Sequence, residues 1–160
     1  MTPSISNRAS FTFDSTDYYY FIGSGGGGGC GYGITINSDS KLNYKYLLGL
    51  LNSKLLDTYL KTYSSSFRGG YYAYNRQYID VLPIRPIDFA NPAEAAHHNK
   101  MVSYVESMLA AHKSLATAQS PQEKERLERQ IDVTDKAIDA LVYELYGLKE
   151  DEIKIVEGEK

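Results

Sequence analysis

Residues 64–77 read Ser-Ser-Ser-Phe-Arg-Gly-Gly-Tyr-Tyr-Ala-Tyr-Asn-Arg-Gln, a run of groups suited to planar hydrogen-bonding partners and to anions. Arginine carries five donors in a rigid fork that matches phosphates and guanine edges. Asparagine and glutamine amides pair bidentately with adenine, and serine hydroxyls and glycine N–H groups suit phosphate oxygens. On that chemistry the candidate contact residues are Arg68, Asn75, Arg76 and Gln77. Lys61, Ser65, Ser66, Gly69, Gly70 and Tyr74 surround them in sequence and complete the candidate set. The same string also has a structural reading, in which Arg68 caps a helix end and the tyrosines fill a core.

Other chemistries find less support. Residues 23–31, Gly-Ser-Gly-Gly-Gly-Gly-Gly-Cys-Gly, formally contain G-x-G-x-x-G. Phosphate binding by that motif needs a helix directly after it, whereas residues 33–37 alternate like a strand. A flexible hairpin loop fits better, and glycine there would let the main chain approach a ligand closely. His97, His98 and His112 lack the i, i+4 spacing of a helical metal pair. Cys30, the single cysteine, has no His or Asp near it in sequence and cannot form an internal disulfide. Glu123, Glu125, Glu128, Asp132, Asp135 and Asp139 are interspersed with lysines and arginines, as on a solvated helix face. The amine-gripping loop of an adenine or cytosine-N4 methyltransferase has no complete counterpart; residues 91–94, Asn-Pro-Ala-Glu, lack its second proline and its aromatic. No nuclease-like Pro-Asp and Glu-x-Lys set is present either. The sequence therefore points to no cofactor, no metal and no catalytic residue of its own.

The elements that must position residues 64–77 follow from periodicity. Residues 10–22 are aromatic and β-branched and read as a strand, with residues 23–33 as a glycine loop and residues 33–37 as its return strand. Ser38, Asp39 and Ser40 offer an N-cap for a helix over residues 41–63, whose Leu47, Leu48, Leu51, Leu55 and Leu56 recur at helical steps. A short strand over 71–74 and a helical turn over 75–80 follow. Pro83, Pro86 and Pro92 make residues 83–92 an extended linker, because each proline turns its predecessor away from helix. Residues 93–118 and 121–146 form two helices with apolar seams, Met101, Val105, Met108, His112 and Leu115 on the first, Leu127, Ile131, Thr134, Ile138, Leu141 and Leu145 on the second. Gly147 ends the second helix, and residues 149–156 add a short one.

Composition divides the chain at the same linker. Residues 1–92 hold 8 Lys/Arg against 6 Asp/Glu and 12 of the 15 tyrosines, while residues 93–160 hold 9 against 14. The expected organisation is a tyrosine-rich globule over 1–92 and an acidic helical hairpin with a short terminal helix over 93–160. The expected fold class is α+β, a small mixed or antiparallel sheet packed on a helix and followed by an antiparallel helical hairpin. No leader or bilayer-length apolar run is apparent, so a cytoplasmic protein is expected.

Three further strings carry a resemblance. Residues 47–57 read Leu-Leu-Gly-Leu-Leu-Asn-Ser-Lys-Leu-Leu-Asp, residues 65–71 read Ser-Ser-Phe-Arg-Gly-Gly-Tyr, and residues 78–84 read Tyr-Ile-Asp-Val-Leu-Pro-Ile. In this order they resemble the TaqI-like C-terminal specificity domain of restriction-modification DNA methyltransferases, and are similar to recognition domains of type I specificity subunits. Residues 131–157 resemble the tail that closes many fused type II enzymes of this group. The resemblance implies a non-catalytic domain that binds double-stranded DNA and directs a methyltransferase, sometimes with a nuclease, to its target. It implies a catalytic domain or subunit as partner, the catalytic part lying outside this chain. The helical hairpin would be a spacer or docking surface. A protein-interaction module, dimerising through that hairpin, is the alternative.

Overall fold

The computed structural model describes residues 1–14 and 31–159, as two compact units, Met1–Ile84 and Arg85–Lys160. The fold is α+β. In the first unit come strands β1 (Thr2–Pro3), β2 (Ile5–Ser6) and β3 (Gly31–Tyr32), then helices α1 (Tyr44–Asn52) and α2 (Lys54–Tyr63). Strands β4 (Ser66–Phe67) and β5 (Tyr71–Ala73) and the short helix α3 (Arg76–Ile79) complete it. Among the described residues the strand pairs are antiparallel: β1 with β3, and a three-stranded sheet in the order β2-β5-β4.

The helix expected over 41–63 is two helices, and Ser53 is the reason. Its backbone is extended at φ −67° and ψ 150°. Its hydroxyl donates to the Leu50 carbonyl at 2.7 Å and accepts from the Leu56 N–H at 3.4 Å, ending one helix and capping the next. A buried serine can do both because its oxygen is at once donor and acceptor. Ser53→Ala is therefore expected to cost about 1–2 kcal/mol in urea-induced unfolding, the usual loss of an N-cap plus one buried bond.

The first turn begins at Tyr44 because Asn43, not residues 38–40, supplies the cap, accepting from the Lys45 N–H at 2.8 Å. Residues 38–40 form a turn instead, closed by the Ser40 N–H on the Asn37 carbonyl at 3.0 Å.

Residues 33–37 do not form the expected strand; pairing stops at Gly31 and Tyr32. Two causes are visible. The register would set Met1 opposite Gly33, but the Met1 ammonium and carbonyl are already bonded to the main chain of Thr12, at 2.7 and 2.8 Å. The Ile36 N–H is taken by the Tyr44 hydroxyl at 3.1 Å. Of the strand expected over 10–22, residues 10–14 are not assigned as strand, and the remainder, most of the glycine loop and Cys30 lie outside the described residues.

The core of this unit joins α1 and α2 to β5. Tyr46, Leu50, Leu56, Leu60 and Tyr74 are almost wholly inaccessible, with Phe11 and Ala73 beside them. The Phe11 ring meets that of Tyr74 edge-on at 6.4 Å. Asn52 holds the Phe11 main chain as a neighbouring strand would: its Oδ1 accepts from the Phe11 N–H at 2.9 Å and its Nδ2 donates to the Phe11 carbonyl at 3.0 Å.

In the second unit, α4 (Pro92–Thr117) and α5 (Pro121–Tyr146) pack along each other across a three-residue connection, so they run antiparallel, and α6 (Glu150–Glu157) follows. Both long helices begin with proline after a side-chain cap, Asn91 accepting from the Ala93 N–H and Ser120 from the Glu123 N–H. Gly147, at φ 66°, closes α5, and the Leu148 N–H donates back to the Tyr143 carbonyl at 3.0 Å.

The α5 seam runs as its spacing predicts. On α4 the buried position is Ala111 rather than His112, which is exposed. Ala111 clusters there with Ala118, the residue that ends α4, and with Leu127 of α5. Asp139, expected on a solvated face, is buried, whereas Glu125–Arg129 and Asp132–Lys136 are exposed i, i+4 pairs. The unit begins within the proline segment, ahead of residue 93. Arg85 donates to the Leu145 carbonyl from Nε at 3.3 Å and to Glu94 from Nη2 at 3.2 Å, and its N–H reaches the Tyr146 hydroxyl at 3.1 Å. Among the described residues no helix is long and apolar enough to cross a membrane.

Candidate nucleic-acid interface

Residues 64–74 fold as a tight hairpin, fastened at its foot and open at its tip. Phe67 pairs with Tyr71 and Ser66 with Tyr72, which leaves Arg68, Gly69 and Gly70 as the connection. Gly69 and Gly70 sit at φ 87° and 78°, backbone that a residue with a Cβ rarely adopts. At the foot, the Ser64 hydroxyl donates to the Ala73 carbonyl at 2.6 Å, and the Ala73 N–H donates to the Ser65 carbonyl at 3.0 Å. The Ser65 hydroxyl meets the Tyr78 hydroxyl at 2.7 Å, which ties the foot to the end of α3. Hydrogen bonding from Ser65 draws the Tyr78 phenol below its ordinary value, with Gln77 adding to the effect and desolvation opposing it. Tyr63 stands behind, its hydroxyl donating to the Tyr78 carbonyl at 2.8 Å and its ring 5.3 Å from that of Tyr59.

The candidate residues separate into outward and inward groups. Ser65, Ser66, Arg68, Gly69 and Gly70 are exposed on the hairpin, and Arg76 and Gln77 are exposed on α3. Arg76 Nε pairs with Asp80 at 3.0 Å, a solvent-exposed bond of little strength that an incoming anion can replace. No hydrogen bond or ion pair holds the Arg68 side chain among the described residues. Tyr74, by contrast, is 0 % exposed and belongs to the core, so it is no contact residue. Asn75 is the N-cap residue of α3, and its Oδ1 is shielded from solvent without a hydrogen-bond partner. Lys61 is turned to Asp57, at 2.6 Å, with its ammonium 5.5 Å from the centre of the Tyr72 ring.

Asp57 is the residue that sequence reasoning missed. Its Oδ1 accepts from the Ala9 N–H at 2.8 Å and from the Tyr74 hydroxyl, while its Oδ2 takes the Lys61 ammonium. One carboxylate thus joins the N-terminal segment, the residue that follows β5, and α2. A lone acid in an apolar helix stripe was the available signal, because such a group is kept inside only when its oxygens are satisfied.

Burial, and then the bond to Asp57, raise the Tyr74 phenol well above its ordinary value. Burial and the bond to Glu157 do the same for Tyr143 in the second unit. An unfolded tyrosine ionises near about pH 10. Above that pH the unfolded state binds fewer protons than the folded one, so the stability these phenols provide is complete below about pH 10 and is lost as the pH climbs beyond it. Circular dichroism and tyrosinate absorbance followed together should show the last phenols ionising only as structure is lost.

Among the described residues no group of three His, Cys, Asp or Glu side chains is placed to hold a metal ion. His97 instead reaches Glu144 at 3.3 Å, and the buried His98 ring packs edge-on against Phe89 at 5.0 Å. What the first unit presents is an exposed guanidinium and two bare glycines on an anchored hairpin. Comparison of the sequence with protein-family models finds one described as the TaqI-like C-terminal specificity domain, matching residues 1–84. Comparison with curated proteins and with solved structures finds no match.

Proposed function

The chain belongs to the TaqI-like C-terminal specificity domain family, whose model spans the whole of the first unit, and from that premise we propose that it is the DNA target-recognition part of a restriction-modification system. The β4–β5 hairpin is the element that enters the duplex. A two-stranded ribbon is of a size the major groove admits, and each base pair displays a distinct pattern of donors and acceptors there. Arg68, at the tip, reads a guanine edge through its fork. Gly69 and Gly70 let the main chain come close to the backbone, while Ser65, Ser66, Arg76 and Gln77 hold phosphates and fix the register. The observation that carries this reading is the exposed Arg68 side chain on a hairpin whose foot is fastened by Ser64, Ser65 and Tyr78.

The chain acts without catalysing. A methyltransferase, and in some arrangements a nuclease, supplies the reaction from another domain or subunit in the cytoplasm. The second unit serves that partnership. Its exposed Leu109, Val133 and Ile155 and its acidic helices suit protein contacts better than a polyanion. Dimerisation through α4 and α5 is the other use such a surface allows, and sedimentation of the free chain separates the two.

Fluorescence anisotropy on a pool of mixed duplexes in dilute salt tests the main reading. Binding should be measurable and should weaken steeply as salt is added, with a logarithmic slope of about −0.9 for each phosphate neutralised. Absence of binding to any duplex, alone or with the cognate methyltransferase, would sink it.

A further inference from the structure

Arg8 shares with Arg68 an exposed side chain that no hydrogen bond or ion pair holds among the described residues. The main chain around it is fastened at three points. The Arg8 N–H donates to the Ser6 Oγ at 3.4 Å, the Ser10 hydroxyl donates to the Arg8 carbonyl at 3.2 Å, and the Ala9 N–H donates to Asp57 at 2.8 Å. A turn tied down in this way holds out one long cationic side chain from a fixed stem, so only that side chain has to be ordered when a partner arrives.

Topology brings that turn to the hairpin. β2 runs antiparallel to β5, with Ile5 opposite Ala73 and Ser6 opposite Tyr72, so the chain leaves β2 at the end where residues 68–70 lead into β5. Arg8 thus stands beside the tip on the β2 side of the sheet. Strands lie about 4.8 Å apart, which sets its stem within about 10 Å of the β4–β5 connection. The charge at this end is of one sign. Residues 1–13 and 58–79 contain Arg8, Lys61, Arg68 and Arg76 and no Asp or Glu. The acids at the borders, Asp57 and Asp80, are engaged by Lys61 and Arg76. Charge therefore calls for an anion, and position chooses which one. The major groove is about 12 Å wide, so a duplex that takes the hairpin tip into the groove brings the phosphates of its rim past a side chain standing a strand or two to the side.

Resting on the DNA-recognition reading above, we propose that Arg8 is a further DNA-binding residue, whose guanidinium holds a backbone phosphate beside the groove that the β4–β5 hairpin enters. It supplies affinity that does not depend on sequence and fixes the depth and register at which the tip meets the bases.

The test measures anisotropy over a salt series, with a duplex selected by the wild-type chain from a randomised pool and with the mixed pool itself. Arg8→Ala should weaken binding to both by a similar factor, about ten-fold near about 50 mM salt, and should make the logarithmic salt slope shallower by about 0.9, the counterion release of one phosphate. Arg8→Gln, which keeps the length of the stem without its charge, should behave alike. Arg8→Lys should recover most of the affinity and the parent slope, because a phosphate accepts a point charge where a base edge requires the fork. The variants should retain the circular dichroism of the parent. Unchanged affinity and slope in Arg8→Ala and Arg8→Gln would overturn the proposal, and with loss of methyltransferase association would assign Arg8 to a protein contact. A loss confined to the selected duplex would overturn it too, making Arg8 a reader of bases. Failure of the wild-type chain to bind any duplex is a different result, and counts against the DNA-recognition reading itself.

Discussion

Arg68→Ala is expected to weaken binding to the selected duplex by about ten- to a hundred-fold, the 1–3 kcal/mol of one good bidentate base contact, with little change in stability. The two halves of that statement have separate grounds. Arg68 is exposed and holds no other side chain among the described residues, so its removal disturbs nothing folded. Its fork is the group at the tip that can engage a guanine at both O6 and N7. Arg68→Lys is the sharper version. A lysine keeps the charge but not the fork, so affinity for mixed duplexes should survive while preference for the selected one falls. Equal loss on both kinds of DNA would make Arg68 a phosphate contact and move base reading to another residue.

The elements around this tip were legible in the sequence to very different degrees. The helices of the second unit follow from proline, serine and glycine at the ends of heptad seams, because caps and periodicity are local. The break at Ser53 could not be read the same way. A serine in a leucine-rich run is compatible with one helix or two, and the choice turns on whether its hydroxyl is buried against Leu50 and Leu56. The strand expected over 33–37 failed for a related reason. Alternation describes which face would be buried but not whether a free partner lies alongside, and Met1, which the register would set opposite Gly33, is bonded to Thr12 instead. For the candidate site, residues 64–77 announced their chemistry through Arg68, Arg76 and Gln77. The direction of each side chain was the missing half. Tyr74 and Lys61 turn inward because a partner distant from Tyr74 in sequence, Asp57, draws both.

Asp57→Ala is the substitution with the largest expected cost to the fold. It strands two donors, the Ala9 N–H and the Tyr74 hydroxyl, of which the second sits in the core. An unsatisfied buried donor costs about 1–3 kcal/mol, so a loss of about 2–5 kcal/mol is expected. That is a large share of the 5–15 kcal/mol that typically separates a folded domain from its unfolded chain. Tyr74→Phe makes the informative comparison. It removes the hydroxyl and leaves the carboxylate with two donors, so its cost should stay near about 1 kcal/mol. Urea titrations of both variants, read by tyrosine fluorescence, check the pair. A loss below that of Tyr74→Phe in the aspartate variant would show that water satisfies Ala9 and Tyr74 as well as Asp57 does. The conspicuous string at residues 47–57 then has a structural explanation: Asn52 holds Phe11, Ser53 divides the helices, and Asp57 joins three segments.

Fastening the hairpin at Ser64, Ser65 and Tyr78 leaves residues 68–70 outside the hydrogen bonds that hold the fold together among the described residues. Such a cassette can accumulate changes, or be swapped for a library of other three-residue sequences, while the scaffold beneath it stays intact. New target preferences could therefore be grafted here at small thermodynamic penalty, provided the two positive-φ positions remain glycine or asparagine.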